Sequence, residues 1–324
     1  QDFWELVPTP DTANLISIKI HNNGDIWLGS NGIYLSQNNG ETWEFKGLYG
    51  YSIFSIATDS ANNIFAGTNS RIFKSTNMGE NWDLVFYGGI DNINSLITSN
   101  NGIMFASSGF DIGILHSFDY GENWDTCLIN LSMWEYIKGF SISSDGLIYA
   151  GTTAYAGNGG GVYKSVDTGI NWEHIGLYEE GIKCLGFDLK NDLYVGSTGP
   201  NWGLYKKDNN DEWELVFNSG TVTGIAVNKN NHIFISCSYA IFIGGAYYSI
   251  DYGKTWTSIN TGLISNDLDD LVISPNQYVF SLCNNWNTLY RSNSPTVSIK
   301  DRNTEDYLKA FPDPFYDNLF VTLS

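Results

Sequence analysis

The chain has 324 residues, with 35 acidic against 16 basic side chains for a net charge of −19, and its arginines are limited to Arg71, Arg291 and Arg302. That balance argues against a nucleic-acid or anionic-lipid partner. With 42% hydrophobic and 15% aromatic residues the chain can bury a large core, and no apolar run of about 18 residues offers a membrane-spanning helix.

The chain opens at Gln1 without a Met or a signal-peptide pattern, so either a leader has been removed or the sequence given starts at this point. Near its start, Phe3-Trp4-Glu5-Leu6-Val7 matches Asn81-Trp82-Asp83-Leu84-Val85 and Glu212-Trp213-Glu214-Leu215-Val216. Further on, an octet recurs: Ser36 to Trp43, Ser75 to Trp82, Ser117 to Trp124, Ser165 to Trp172, a worn copy from Lys206 to Trp213 with Asn210 in place of glycine, and Ser249 to Trp256. The closing tryptophans fall 39, 42, 48, 41 and 43 residues apart. A period near 40 built of short strands marks a β-propeller with one four-stranded blade per repeat.

Each octet position has a mechanical reason. The third (Asn38, Asn77, Asp119, Asp167, Asp208, Asp251) can accept hydrogen bonds from backbone N–H groups two residues on. The fifth is glycine, which takes the positive φ of a tight hairpin. The tryptophan needs burial against its own blade and its neighbour. Before each octet the pattern repeats: an apolar innermost strand, an Asn- and Gly-rich turn, and a second strand ending in a Gly-Thr or Gly-Ser pair. Such second strands are expected at Asp25 to Ser30, Ile64 to Thr68, Gly102 to Ser107, Leu147 to Thr152, Asp192 to Ser197, His232 to Ser236 and Gln277 to Leu282. Seven repeats make residues 1–299 one closed domain. The seventh has no octet of its own, so the Phe3 to Val7 segment is expected to supply the last blade's outermost strand and leave no free edge.

The octets resemble the Asp-box, or BNR, repeat S-x-D-x-G-x-T-W of sialidases, xyloglucanase-type glycoside hydrolases and many non-enzymatic propellers. In that family the box lies on the face opposite the ligand, so the resemblance implies architecture more than activity. Asp25 to Tyr34 and Asn260 to Asp267 are also similar to motifs of sensor-type regulator propellers, again binding modules. After a linker over 300–310, residues 311–324 open with Phe311-Pro312-Asp313-Pro314-Phe315. This resembles the start of the C-terminal sorting domain used by type IX secretion, with Asp313 where the family has Asn, and it lacks the later glycine and lysine motifs. The resemblance implies export to the surface or medium of a Gram-negative bacterium.

Loop-length variation falls almost entirely in connections between second and third strands and between successive blades, which share one face. On it Trp134, Tyr136, Tyr155, Trp202 and Trp286 are candidates for an aromatic platform that meets a sugar. Trp27, aligned with Phe65 and Tyr194, reads as core. A glycosidase would need two carboxylates roughly 5 to 10 Å apart. Asp111, Glu135, Glu179, Glu180, Asp269 and Asp270 are candidates. Three arginines, one of them in the tail, do not suit a sialidase, whose substrate carboxylate needs a triad of them, and xyloglucanase-type enzymes use two propellers. The histidines (His21, His116, His174, His232) suggest neither a catalytic triad nor a metal cluster. The four cysteines lack metal spacing; a bridge between Cys237 and Cys283 competes with buried free thiols.

The expectation is a secreted or cell-surface, non-catalytic, seven-bladed propeller, monomeric outside any assembly, that binds a glycan or a surface protein and neither nucleic acid nor membrane. A glycoside hydrolase or lyase and a structural subunit are the alternatives. No cofactor is expected; the acidity leaves calcium as an option, although no D-x-D-x-D-G loop appears.

Overall fold

The computed structural model describes residues 2–10, 14–99, 101–107, 113–127, 135–154, 160–198, 201–207, 212–238 and 244–299. Among them the strands form seven four-stranded antiparallel sheets. The innermost strands, blades 1 to 7, are Ser17–Ile20, Ser55–Thr58, Ser95–Thr98, Glu135–Ile142, Ile182–Phe187, Thr221–Val227 and Asp270–Ile273. Each packs beside the next, and blade 7 packs beside blade 1, so the ring is closed. The molecule is a seven-bladed β-propeller. The expected linker and tail after residue 299 lie outside the described residues.

The N-terminal strand closes the ring as the sequence match implies. Trp4–Val7 pairs antiparallel with Thr288–Ser292, in the register Trp4 to Ser292 and Val7 to Leu289. Trp4 is 2% exposed, and its indole Nε1 donates to the Ile259 carbonyl of blade 6 at 2.6 Å. Arg291 adds a tie, donating through Nε to Glu5 at 2.8 Å and through Nη1 to the Asn39 carbonyl of blade 1 at 2.8 Å.

The core is one apolar cluster per blade interface, which is what a repeat with two apolar faces demands. Trp27, Ile33 and Leu35 of blade 1, for example, meet Ile53, Ile56, Ile64 and Ala66 leading into and within blade 2. Nearer the hub, hydroxyls stitch blade to blade. Ser17 Oγ donates to the Ile53 carbonyl at 2.8 Å, Ser55 Oγ to Ile93 at 2.7 Å, and Thr223 Oγ1 to Leu268 at 2.7 Å. The recurring glycine of the second strand makes room for this stitch: a Cβ on Gly29 would lie 2.2 Å from Ser17 Oγ.

The octets divide their labour differently from the expectation. Their aspartate or asparagine accepts from the N–H four residues on, as in Asn123 to Asp119 at 2.9 Å and Thr255 to Asp251 at 2.8 Å. The first-position serine serves the closer groups instead: Ser117 Oγ accepts from Gly121 N–H at 2.9 Å, and Ser249 Oγ from Gly253 N–H at 2.8 Å. The reason is backbone shape. Two successive residues are left-handed, such as Tyr120 (φ 60°) and Gly121 (φ 77°), which turns the third-position side chain over the whole loop. Asn38, Asn77 and Asp167 repeat the geometry, while Asp208 lies outside the described residues. The tryptophans bind across interfaces as expected: Trp82 Nε1 donates to the Lys46 carbonyl at 2.7 Å and Trp213 Nε1 to Ile175 at 3.1 Å, each on the preceding blade. Trp124 and Trp172 donate within their own octets.

Candidate functional site

Connections between second and third strands, and from each blade to the next, crowd the face opposite the octets. The carboxylates predicted there separate into two kinds. Glu135, opening the innermost strand of blade 4, is 6% exposed. It accepts from Thr152 Oγ1 at 2.5 Å and from the Tyr163 phenol. Burial first, and then the Glu135 charge, push that phenol up to about 12. Glu180, in the turn before blade 5, is 5% exposed and accepts from Ser197 Oγ at 2.6 Å and from Asn201 N and Nδ2 at 3.2 and 3.0 Å. Thr152 and Ser197 are the closing residues of the Gly-Thr and Gly-Ser pairs, so both glutamates brace strand ends.

Glu179 is exposed. Asp269 and Asp270 are partly exposed at the start of blade 7's innermost strand. Asp269 accepts the Asn284 N–H at 2.7 Å, and burial holds its carboxyl above the ordinary range. Asp270 lies deeper in the central channel; burial raises its carboxyl to about 7, against the opposing pull of the Leu271 N–H and the Lys19 ammonium of blade 1. Lys19 in turn is lowered by burial. Asp111 lies outside the described residues, as do Trp134 and Tyr155.

Of the aromatic candidates, Trp286 is 61% exposed, presented by the short 3-10 turn Asn284–Trp286. Beside that turn Asn285 Nδ2 donates to Asp267 at 2.6 Å, and Asn284 Oδ1 and Thr288 Oγ1 are buried without a partner. Trp202 is half-buried on blade 5 and Tyr136 half-buried on blade 4, the latter beneath Lys138 Nζ at 5.0 Å. These three rings sit on separate blades. Trp27 is fully buried, as core. The bridge between Cys237 and Cys283 does not form: both are buried free thiols. Among the described residues no three His, Cys, Asp or Glu side chains are grouped to hold a metal.

A cleft that sequence reasoning missed lies between blades 4 and 5. It encloses about 450 Å³ and is lined by residues including Tyr149, Lys164, Glu173, His174, Tyr178 and Lys207. Tyr178, 70% exposed at its rim, stacks on His174 with ring centroids 3.9 Å apart and planes at 17°.

No protein-family model matches the sequence, and no curated protein does. Solved structures do match in fold. A GH74 enzyme of Niastella koreensis superposes with a TM-score of 0.75 at 17% identity over 92% of this chain and 55% of that one. This chain therefore spans about half the length of that enzyme. YCF48 bound to D1 peptide gives 0.70 at 17% identity, over 90% of this chain and 97% of that one. A streptogramin B lyase gives 0.74 at 12% identity, over 90% and 97%. What unites enzymes and a peptide-bound protein at such low identity is the ring of blades, and this chain is a β-propeller of that architecture.

Proposed function

We propose that this chain is an exported, non-catalytic propeller of the Asp-box type that binds a glycan through its loop-rich face. The observation that carries the reading is the split among the carboxylates. Glu135 and Glu180 are buried and saturated by hydroxyl and amide donors, while the exposed indole of Trp286 stands beside the polar side chains of Asp267, Asn284 and Asn285. A flat apolar ring flanked by hydrogen-bonding groups suits a sugar, whose ring has an apolar face and a hydroxylated edge. Hydrolysis of a glycosidic bond asks for two solvent-reaching carboxyls across a cleft. Export rests on the resemblance of residues 311–324 to a type IX sorting segment and of the octets to Asp-box repeats.

A peptide partner is the second reading, favoured by the likeness to YCF48, a propeller of matching extent bound to a peptide. The hydrolase or lyase alternative would draw on Asp269 and Asp270 at the start of blade 7's innermost strand. The test is a glycan array run beside a polysaccharide-depolymerisation screen, with wild type and Trp286→Ala. Binding without cleavage, weakened in Trp286→Ala, is the expected result. Cleavage abolished by Asp269→Asn or Asp270→Asn would establish the enzyme instead, and silence on every glycan would leave the peptide reading.

A further inference from the structure

We infer that the cleft between blades 4 and 5 is a second carbohydrate-binding site, with Tyr178 as its stacking platform. The inference refines the glycan reading by placing a subsite away from Trp286.

At this interface, among the described residues, apolar side chains that are only partly buried, Phe187 among them, outnumber the fully buried ones. Its cluster of buried apolar residues has five members among the described residues, Tyr149, Val162, Ile182, Leu193 and Val195, whereas the other interfaces have seven to ten. Tyr149 occupies the position held in the other blades by Trp27, Phe65, Phe105, Tyr194, Phe234 and Phe280. All six of those are 0% exposed, and Tyr149 is 9% exposed. At four of these interfaces the next blade's octet glycine closes over the aromatic: Gly79 over Trp27, Gly121 over Phe65, Gly169 over Phe105 and Gly253 over Tyr194. The octet of blade 5 has Asn210 in the sequence in place of that glycine, and residues 208–211 lie outside the described residues. The cleft's volume, about 450 Å³, lies within the range of ligand sites, roughly 300–1,000 Å³.

The rim is built rather than merely open. His174 Nδ1 accepts the Gly176 N–H at 3.2 Å, so Nε2 carries the proton and donates to the Gly160 carbonyl at 3.2 Å. Both nitrogens are used, which fixes the imidazole plane and excludes His174 as a free base. Tyr163 supports the ring edge-on at 4.7 Å. Tyr178 sits between two left-handed non-glycine residues, Leu177 (φ 56°) and Glu179 (φ 67°). The corresponding turn of blade 1, Leu48-Tyr49-Gly50, has glycine at the second of those positions, so blade 4 holds this conformation against a steric cost. Strain kept in a turn that displays an aromatic ring fits a binding role. Below the ring, Lys164, Glu173 and Lys207 supply donors and an acceptor for hydroxyls around the Tyr149 and Phe187 floor.

The test is titration calorimetry of wild type, Tyr178→Ala and Trp286→Ala with neutral cello-, xylo- and manno-oligosaccharides and with acidic oligogalacturonate. Both replaced rings are exposed, and melting curves check that each variant folds. The expected result is a saccharide whose affinity falls roughly tenfold in Tyr178→Ala, the scale of one aromatic stacking contact, and holds in Trp286→Ala. Equal affinity in wild type and Tyr178→Ala for every bound saccharide would overturn the cleft. If Trp286→Ala alone loses binding, the cleft fails and the glycan reading of the loop-rich face stands. If Tyr178→Ala alone loses it, the cleft stands and Trp286 is removed from that reading. Absence of saccharide binding sinks both.

Discussion

Trp4 is the bolt of the ring, and its removal tests the architecture quantitatively. In Trp4→Ala a side chain that is 2% exposed disappears from the interface of blades 6 and 7. Large aromatic truncations in cores cost about 3–5 kcal/mol. The change also strands the Ile259 carbonyl, which the indole reaches at 2.6 Å, and a buried unpaired acceptor adds about 1–3 kcal/mol. The sum, about 4–8 kcal/mol, is a large share of a typical total of roughly 5–15 kcal/mol. At about 2 °C per kcal/mol, the low end for long chains, the midpoint should fall by about 8–16 °C. Differential scanning calorimetry measures it, with Trp286→Ala as control. That ring is 61% exposed, so its loss should move the midpoint by no more than about 1–2 °C, the surface-substitution scale. A Trp4→Ala midpoint within 2 °C of wild type would refute non-covalent closure of the ring as a major source of stability.

Two glycines separate backbone conformation from crowding. Gly169 and Gly253 share a φ near +85° (84° and 87°), but an added Cβ would lie 2.3 Å from Phe105 Cε1 at the first and no closer than 3.4 Å to any atom at the second. Gly253→Ala should cost about 1 kcal/mol and Gly169→Ala about 1–3 kcal/mol more, read from urea midpoints. Asp119 is held down to about 2, chiefly by the Asn123 backbone and side-chain donors. A depressed carboxyl stabilises above its unfolded value and loses that contribution as pH falls through the folded one, so stability should decline from about pH 4 to pH 2. Asp119→Asn, the residue already present at positions 38 and 77, should flatten that limb of a denaturation series against pH. Asp270 has the opposite sign: with its carboxyl raised to about 7, the folded state holds the proton more tightly and stability should fall as pH rises from about 4 to 7. Asp270→Asn should therefore gain in melting temperature over wild type at pH 8 and gain little at pH 4; equal gains at both would refute the assignment.

The ring was legible in the sequence because its determinants are local and repeated. The octet spacing and the match of Phe3 to Val7 with later post-octet strands are contiguous patterns, and both correspond to pairings in the fold. The inner working of the octet was less legible. Reach two residues on is the common habit of an Asx turn, whereas here the nearer N–H groups are taken by the octet's serine and the acid or amide reaches the fourth. The states of Glu135 and Glu180 could not be read, because each depends on a hydroxyl 17 residues away brought alongside by strand register. On a list of loop acids they resemble Asp269; in space they are braces.

The same contrast explains where function should be sought on such a molecule. The near-equivalent interfaces repeat the same devices: at four of them an aromatic covered by the next octet's glycine, at three of them a hydroxyl reaching the next blade's carbonyl, and a tryptophan at the outer edge. A departure from the pattern is a local loss of packing that the other interfaces must tolerate. Blade 5 departs in sequence at Asn210, and at its interface with blade 4 the described apolar side chains that are only partly buried outnumber the fully buried ones. Drift alone would leave that gap ragged. Instead it is rimmed by a stacked pair whose imidazole is fixed through both nitrogens and whose tyrosine is held out by two left-handed neighbours. Loosened packing beside an over-determined rim is the arrangement a binding cleft requires, which is why Tyr178 rather than any of the buried acids is the first residue to mutate.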